Sequence, residues 1–114
     1  VFCFDKTHRL LTKKDYDHVF AKANKTVTSE FVILHRKNTL GYARLGLALS
    51  KRMIAKANQR NRIKRILRES FRIQKLPAID LVFLARHGVA TVENNLIMAS
   101  LADVWDKLTI IYVD

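Results

Sequence analysis

Between Lys51 and Arg72 the chain places nine Lys or Arg residues and one acid, Glu69. That is a net +8 of the +11 carried by all 114 residues. The densest part is Arg60-Asn61-Arg62-Ile63-Lys64-Arg65-Ile66-Leu67-Arg68-Glu69-Ser70-Phe71-Arg72. The chemistry this run can do is phosphate recognition. A planar guanidinium donates two parallel hydrogen bonds to an anionic oxygen pair. Neutralising several phosphates also releases their condensed counterions. On a helical wheel at ~100° per residue, Ile63, Ile66, Leu67, Ser70, Phe71 and Ile73 gather on one side. Asn61, Arg65, Arg68 and Arg72 form a stripe opposite. Arg60 and Lys64 lie along one flank of it, and Arg62 lies near the other. A merely solvated helix face mixes signs, with Glu–Lys pairs one turn apart. This face does not, so it calls for a polyanionic partner. A basic membrane-surface helix fits less well, because the apolar side is needed for the core.

Other residue types point to binding rather than to reaction. Tyr16 and Phe20 stand one turn apart, where their rings can stack on unpaired bases or pack in a core. His8, His18, His35 and His87 form no ligand or catalytic spacing with one another. Asp5, Asp15, Asp17, Asp80, Asp103, Asp106 and Asp114 are scattered and suggest no two-metal cluster. There is no paired-carboxylate motif, Gly-rich phosphate loop or Ser-His-Asp order. One cysteine, Cys3, excludes an internal disulfide and a multi-cysteine zinc site. We expect a polypeptide that binds, with no catalytic or metal-ligating residue of its own.

These residues need a scaffold, and the chain has the length for one domain, residues 1–114, with one modest core. A hydrophobic content of 49% is too high for a disordered basic tail. Three Gly and one Pro favour long regular elements. No apolar run approaches the ~20 residues a spanning helix needs, and Asp5 interrupts the short apolar start. The expected compartment is the cytoplasm. Thr12 with Asp15 fits a capping box, so a first helix is expected from about Lys13 to Ala23, with Tyr16, Val19, Phe20 and Ala23 on one face. Phe31–His35 reads as a strand, Lys37–Gly41 as a turn, and Ala43–Leu49 as a second strand antiparallel to the first. The basic helix runs from Ala57 to about Lys75, before Pro77. Asp80–Ala85 is continuously apolar after its first residue and is expected at the centre of the sheet. A last helix spans about Glu93–Leu108, burying Ile97, Leu101, Val104, Trp105 and Leu108. The order α-β-β-α-β-α predicts an α+β fold, an α/β sandwich with a small sheet packed by helices.

Arg44-Leu-Gly-Leu-Ala-Leu-Ser-Lys51-Arg52, followed by Ala57-Asn-Gln-Arg60-Asn61-Arg62-Ile-Lys64-Arg65-Ile-Leu-Arg68-Glu69-Ser-Phe71-Arg72, resembles the protein subunit of bacterial ribonuclease P. Arg9-Leu10, Tyr16 and Val19-Phe20 are similar to that family's first helix, and Asp80, Val82, Ala85 and Arg86 to its third strand. The resemblance covers nearly the whole chain. Tyr16 stands where Phe is more usual, and Arg52–Lys56 lacks a frequent Gly-Asn pair.

The resemblance implies a protein that joins a catalytic RNA to remove the 5′ leader of precursor tRNA. The RNA would carry out the hydrolysis with Mg²⁺ bound mainly by the RNA. Lys51, Arg52, Arg60, Asn61, Arg62, Lys64, Arg65, Arg68 and Arg72 would meet that RNA. Tyr16 and Phe20, with Phe31, Ile33 and His35 of the first strand, would line the single-stranded leader. Neither DNA nor a membrane is implied. The resemblance also implies a left-handed β-α-β crossover through the basic helix, against the right-handed rule for parallel crossovers. Three other readings compete. They are a structural rRNA-binding protein of similar fold, a DNA-binding module reading the major groove, and a self-sufficient ribonuclease. Strands on both sides of the basic helix argue against a helix-turn-helix arrangement.

Overall fold

The computed structural model describes residues 13–112. Thr12 of the expected capping box, and Cys3, His8, Arg9 and Leu10, lie outside them. Along the chain come α1 (Lys13–Ala21), β1 (Asn24–Val27), β2 (Phe31–Lys37), β3 (Arg44–Ala48), α2 (Ala57–Arg72), β4 (Ile79–Ala85) and α3 (Asn94–Ile111), with a short 3₁₀ turn at Val89–Thr91. The four strands form one sheet in the order β1-β2-β4-β3. β4 sits inside it, antiparallel to β2 and parallel to β3. The nearly unbroken apolar run of β4 follows from that place, since both its faces are covered.

Two expectations change. The sheet gains a strand, β1, whose Asn-Lys-Thr-Val run lacks apolar length because it lies at an edge. β2 and β3 run in opposite directions, as expected, but they do not pair with each other. β4 lies between them. α2 therefore connects two parallel neighbours, β3 and β4, as a β-α-β unit. Gly41 and Gly88 take φ of +83° and +92°, in the left-handed region that L side chains avoid. They turn the chain after β2 and after β4.

Burial assigns each face of the sheet. Phe31, Ile33, Leu45, Ile79, Leu81 and Phe83 point to one side, where they pack with Ile63, Ile66, Leu67 and Phe71 of α2. Ile97, Leu101, Val104, Trp105 and Leu108 of α3 complete that core. Aromatic edges link the layers: Phe31 meets Phe83 at 5.5 Å, Phe83 meets Trp105 at 5.6 Å, and Trp105 meets Phe71 at 6.1 Å between centroids. Trp105 Nε1 donates to Ser70 Oγ at 2.7 Å, which accounts for a serine on the apolar side of α2. Ile73 departs from the wheel. It falls just past the end of the helix and is 59% exposed.

The other sheet face carries α1, whose Val19 packs on Val82, with Tyr16, Ala23, Leu34 and Ala48 around them. Arg44 fixes this layer. Its Nε and Nη2 donate to the two oxygens of Asp80 at 2.9 and 2.8 Å, and its Nη1 reaches Asp15 of α1 at 3.4 Å. Asp80 is 1% exposed, so its charge is tolerable only because Arg44 and Asn38 Nδ2 hold it. The paired carboxylates in turn hold the Arg44 guanidinium above its ordinary pKa.

His35 lies on the inner side of β2 and is 1% exposed. Its Nε2 is 2.9 Å from Thr26 Oγ1 and its Nδ1 is 2.7 Å from the hydroxyl of Tyr112, so the ring ties β1 to the end of α3. Burial lowers its pKa, and the charge of Lys107 adds to the effect. The native state therefore prefers the neutral ring, whereas the unfolded chain takes up a proton near pH 6.5. The stabilisation is complete above that pH and is lost as the pH falls towards the lower native value. Unfolding free energies measured by urea between pH 7.5 and 5.5 should fall with pH in the wild type and fall less in His35→Gln. Parallel curves for the two proteins would contradict this role of His35.

Candidate nucleic-acid interface

The local sequence of α2 explains both its faces. Ile63, Ile66, Leu67, Ser70 and Phe71 are buried at helical spacing, which leaves the opposite residues to solvent. Asn61, Arg65 and Arg68 are exposed, and Lys64 is half-buried. Among the described residues, the side chains of Lys64, Arg65 and Arg68 make no hydrogen bond or ion pair with any other. Lys51 and Arg52, exposed in the turn ahead of the helix, extend the same positive region. The first turn of α2 holds no acid, and its N-cap is Lys56, which makes no side-chain capping bond. Cations beside the positive end of a helix dipole destabilise the helix when nothing offsets them.

Three of the expected contact residues are engaged within the protein. Arg60 Nη1 donates to the carbonyls of Ile54 and Ala55 at 2.9 and 3.0 Å, which leaves the rest of its fork available. Arg72 Nη2 pairs with Glu69 at 2.7 Å, so the stripe is partly neutralised at its far end. Arg62 is turned towards the 3₁₀ turn and the start of α3. Its Nη2 donates to Ala90 O at 2.8 Å and its Nη1 to Val92 O at 3.3 Å.

On the α1 side, strand register aligns three rows across the sheet. Arg36, Asp80 and Arg44 form a polar row. Lys25, Leu34, Val82 and Gly46 form the row on which α1 packs. Val27, Val32, Leu84 and Ala48 form an apolar row that is only partly covered. Val27 is 51% exposed and Phe20 of α1 is 45% exposed. The Tyr16 and Phe20 rings lie 6.3 Å apart and are tilted by 36°. The Tyr16 hydroxyl accepts from the Leu47 N–H at 3.2 Å, satisfying a donor on edge strand β3.

This geometry corrects part of the expected leader surface. Phe31 and Ile33 are fully buried in the core under α2 and α3, and His35 is held by Thr26 and Tyr112. None of the three lines a groove. A strand alternates faces with period two, and here the bulkiest residues of β2 take the inner face. Its outward residues are Val32, Leu34 and Arg36. In the sequence, parity shows only that Phe31, Ile33 and His35 share one face and that Val32, Leu34 and Arg36 share the other. Val27 and Leu84 were also missed, because only the strand register brings them beside Val32.

Among the described residues no group of three or more His, Cys, Asp or Glu is placed to hold a metal ion. No helix among them is long and apolar enough to cross a membrane.

A family model described as Ribonuclease P matches residues 4–109. The chain belongs to the ribonuclease P protein family. It is 57% identical over 112 residues to the ribonuclease P protein component of Legionella pneumophila (strain Lens), covering 98% of each chain. It is 44% identical over 108 residues to that of Chromohalobacter salexigens, covering 92% of this chain and 84% of the other. The fold superposes on the Staphylococcus aureus RNase P protein with a TM-score of 0.84 at 28% identity, covering 91% of this chain and 99% of that one. The Thermotoga maritima RNase P protein, solved with 1-(4-fluorophenyl)-2-thiourea, gives 0.77 at 30% identity over 85% and 96% of the two chains. Family membership makes this chain a protein component of a tRNA-processing nuclease complex, with a role in tRNA 5′ maturation.

If the exposed guanidiniums of α2 meet phosphates, Arg65→Gln with Arg68→Gln should reduce the slope of log affinity against log salt by about 1.5, since each RNA phosphate contact contributes roughly 0.7–0.9. The melting temperature should hardly move, because both side chains project from the core. Salt titrations of RNA binding, with a melting curve for each protein, check this. An unchanged slope would remove the stripe from the interface.

Proposed function

We propose that this chain binds the catalytic RNA of ribonuclease P through α2 and the single-stranded 5′ leader of precursor tRNA through the α1 side of its sheet. The observation that carries the reading is the separation of two chemistries across one four-stranded sheet. Cations without a side-chain partner among the described residues lie on the helix of one face, and a half-open row of apolar side chains with an exposed aromatic ring lies on the other. Folded RNA presents a dense phosphate backbone and suits the first surface. An extended strand offers unstacked bases and suits the second.

On this reading Lys51, Arg52, Arg60, Asn61, Lys64, Arg65 and Arg68 contact the catalytic RNA. Phe20, Val27, Val32 and Leu84 form the floor that leader bases lie on, and Tyr16 supports Phe20 from one turn away. Lys25, in the neighbouring row of the same face, suits the phosphates of that strand. The RNA carries the hydrolysis, and Mg²⁺ is bound mainly by RNA phosphates. The polypeptide contributes affinity and orientation, by holding the leader while the RNA holds the tRNA body. The work takes place in the cytoplasm.

Phe20→Ala with Val27→Ser removes exposed apolar surface while leaving the core intact. Affinity of the assembled protein–RNA complex should fall about tenfold for precursor tRNA, given roughly 1–3 kcal/mol per stacked base. Affinity for mature tRNA should stay the same. Equal losses for both RNAs, or no loss for either, would count against a leader site on this face.

A further inference from the structure

We propose that Arg62, in the middle of the basic run, is a positioning residue that sets the rotation of α2 and does not itself touch RNA. This rests on the reading of α2 as the RNA-facing helix. A guanidinium has five N–H donors, and four of Arg62's are occupied by protein. Nε donates to Gln59 Oε1 at 2.8 Å, one turn back on α2. Nη1 donates to the Val92 carbonyl at 3.3 Å and to Asn94 Oδ1. Nη2 donates to the Ala90 carbonyl at 2.8 Å. A phosphate could claim this fork only by stripping two backbone carbonyls and two side-chain acceptors of their donor.

The acceptors have a location that matters. Ala90 and Val92 belong to or directly follow the 3₁₀ turn, and Asn94 opens α3. Val89, at the start of that turn, is buried in the main core. The N-cap of α3, Glu93, makes no side-chain capping bond, so the Arg62 fork ties this junction to α2. The apolar contacts of Ile63, Ile66 and Leu67 hold α2 on the sheet but are non-directional. The fork is directional, and it lies in the same turns as Asn61, Lys64 and Arg65. A small rotation of α2 about its axis would move those three side chains together, out of register with a fixed array of phosphates.

Arg62→Gln, Arg62→Lys and Arg65→Gln, with the wild type, separate the possibilities. RNA binding is measured against salt at a temperature where every variant is folded, and melting is followed without RNA. Arg62→Gln should melt about 5 °C or more below the wild type. It should bind ribonuclease P RNA about tenfold more weakly at one salt concentration, with an unchanged salt slope. Arg62→Lys keeps the charge but lacks the planar fork, so it should show the same two losses. Arg65→Gln should keep its melting temperature and lose slope. A slope lowered in Arg62→Gln as it is in Arg65→Gln would make Arg62 a phosphate contact and overturn the proposal. Unchanged affinity in Arg62→Gln, or full recovery by Arg62→Lys, would overturn it as well. A wild type with no salt-dependent affinity for this RNA would instead contradict the assignment of α2 itself, while the melting comparison would still report on the tie to α3.

Discussion

The constraint on which the rest depends is that one helix must be buried on one side and strongly charged on the other. α2 carries like charges at spacings of three and four, where each repulsive pair costs about 0.2–0.5 kcal/mol. Its dipole is oriented against the cations at its start. Against this stand Ile63, Ile66, Leu67 and Phe71, all buried, each contributing about 1.5–3 kcal/mol on leaving water. Burial wins by a clear margin, so the protein can hold unneutralised charge in a fixed array. β4, Trp105 and the rest of the inner core serve this balance, since they form the surface on which α2 lies.

The opposite face follows a different rule. There α1 covers the row containing Val82 and Leu34 and leaves Val27, Val32 and Leu84 partly open. Arg44 places α1, because a single guanidinium joins β3, the buried Asp80 of β4 and Asp15 of the helix. A buried ion pair of this kind adds little net stability, yet losing one partner costs much, so it specifies a geometry. The helix that carries the exposed Phe20 ring is therefore placed by a polar network several residues away. Among the described residues the cationic helix and the partly open apolar row lie on opposite faces of one sheet, two surfaces of unlike chemistry on one small protein.

Much of this was legible in the sequence. The faces of α2 followed from periodicity because Ile63, Ile66, Leu67 and Phe71 obey a helical repeat and the arginines fall between them. β4 was legible as an inner strand because Leu81-Val82-Phe83-Leu84 has no polar alternation, and α3 because five apolar residues repeat on one side. The outward face of β2 was harder. In Phe31–Arg36 both parities are largely apolar, so alternation alone does not say which side faces the core, and the set expected to face outwards, Phe31, Ile33 and His35, points in. β1 was missed because an edge strand with one inward Thr26 has little hydrophobic signal. The role of Arg62 could not be read at all, since Ala90, Val92 and Asn94 reach it only through the tertiary fold.

The central claim is that this polypeptide assists an RNA catalyst by binding. The most direct test is cleavage of a precursor tRNA at low Mg²⁺ by a bacterial ribonuclease P RNA, with and without the protein, beside a control with protein alone. The account predicts release of the intact 5′ leader that depends on the protein when the RNA is present, and no cleavage by the protein alone. Tight RNA binding without any stimulation, or leader release by the polypeptide on its own, would contradict it.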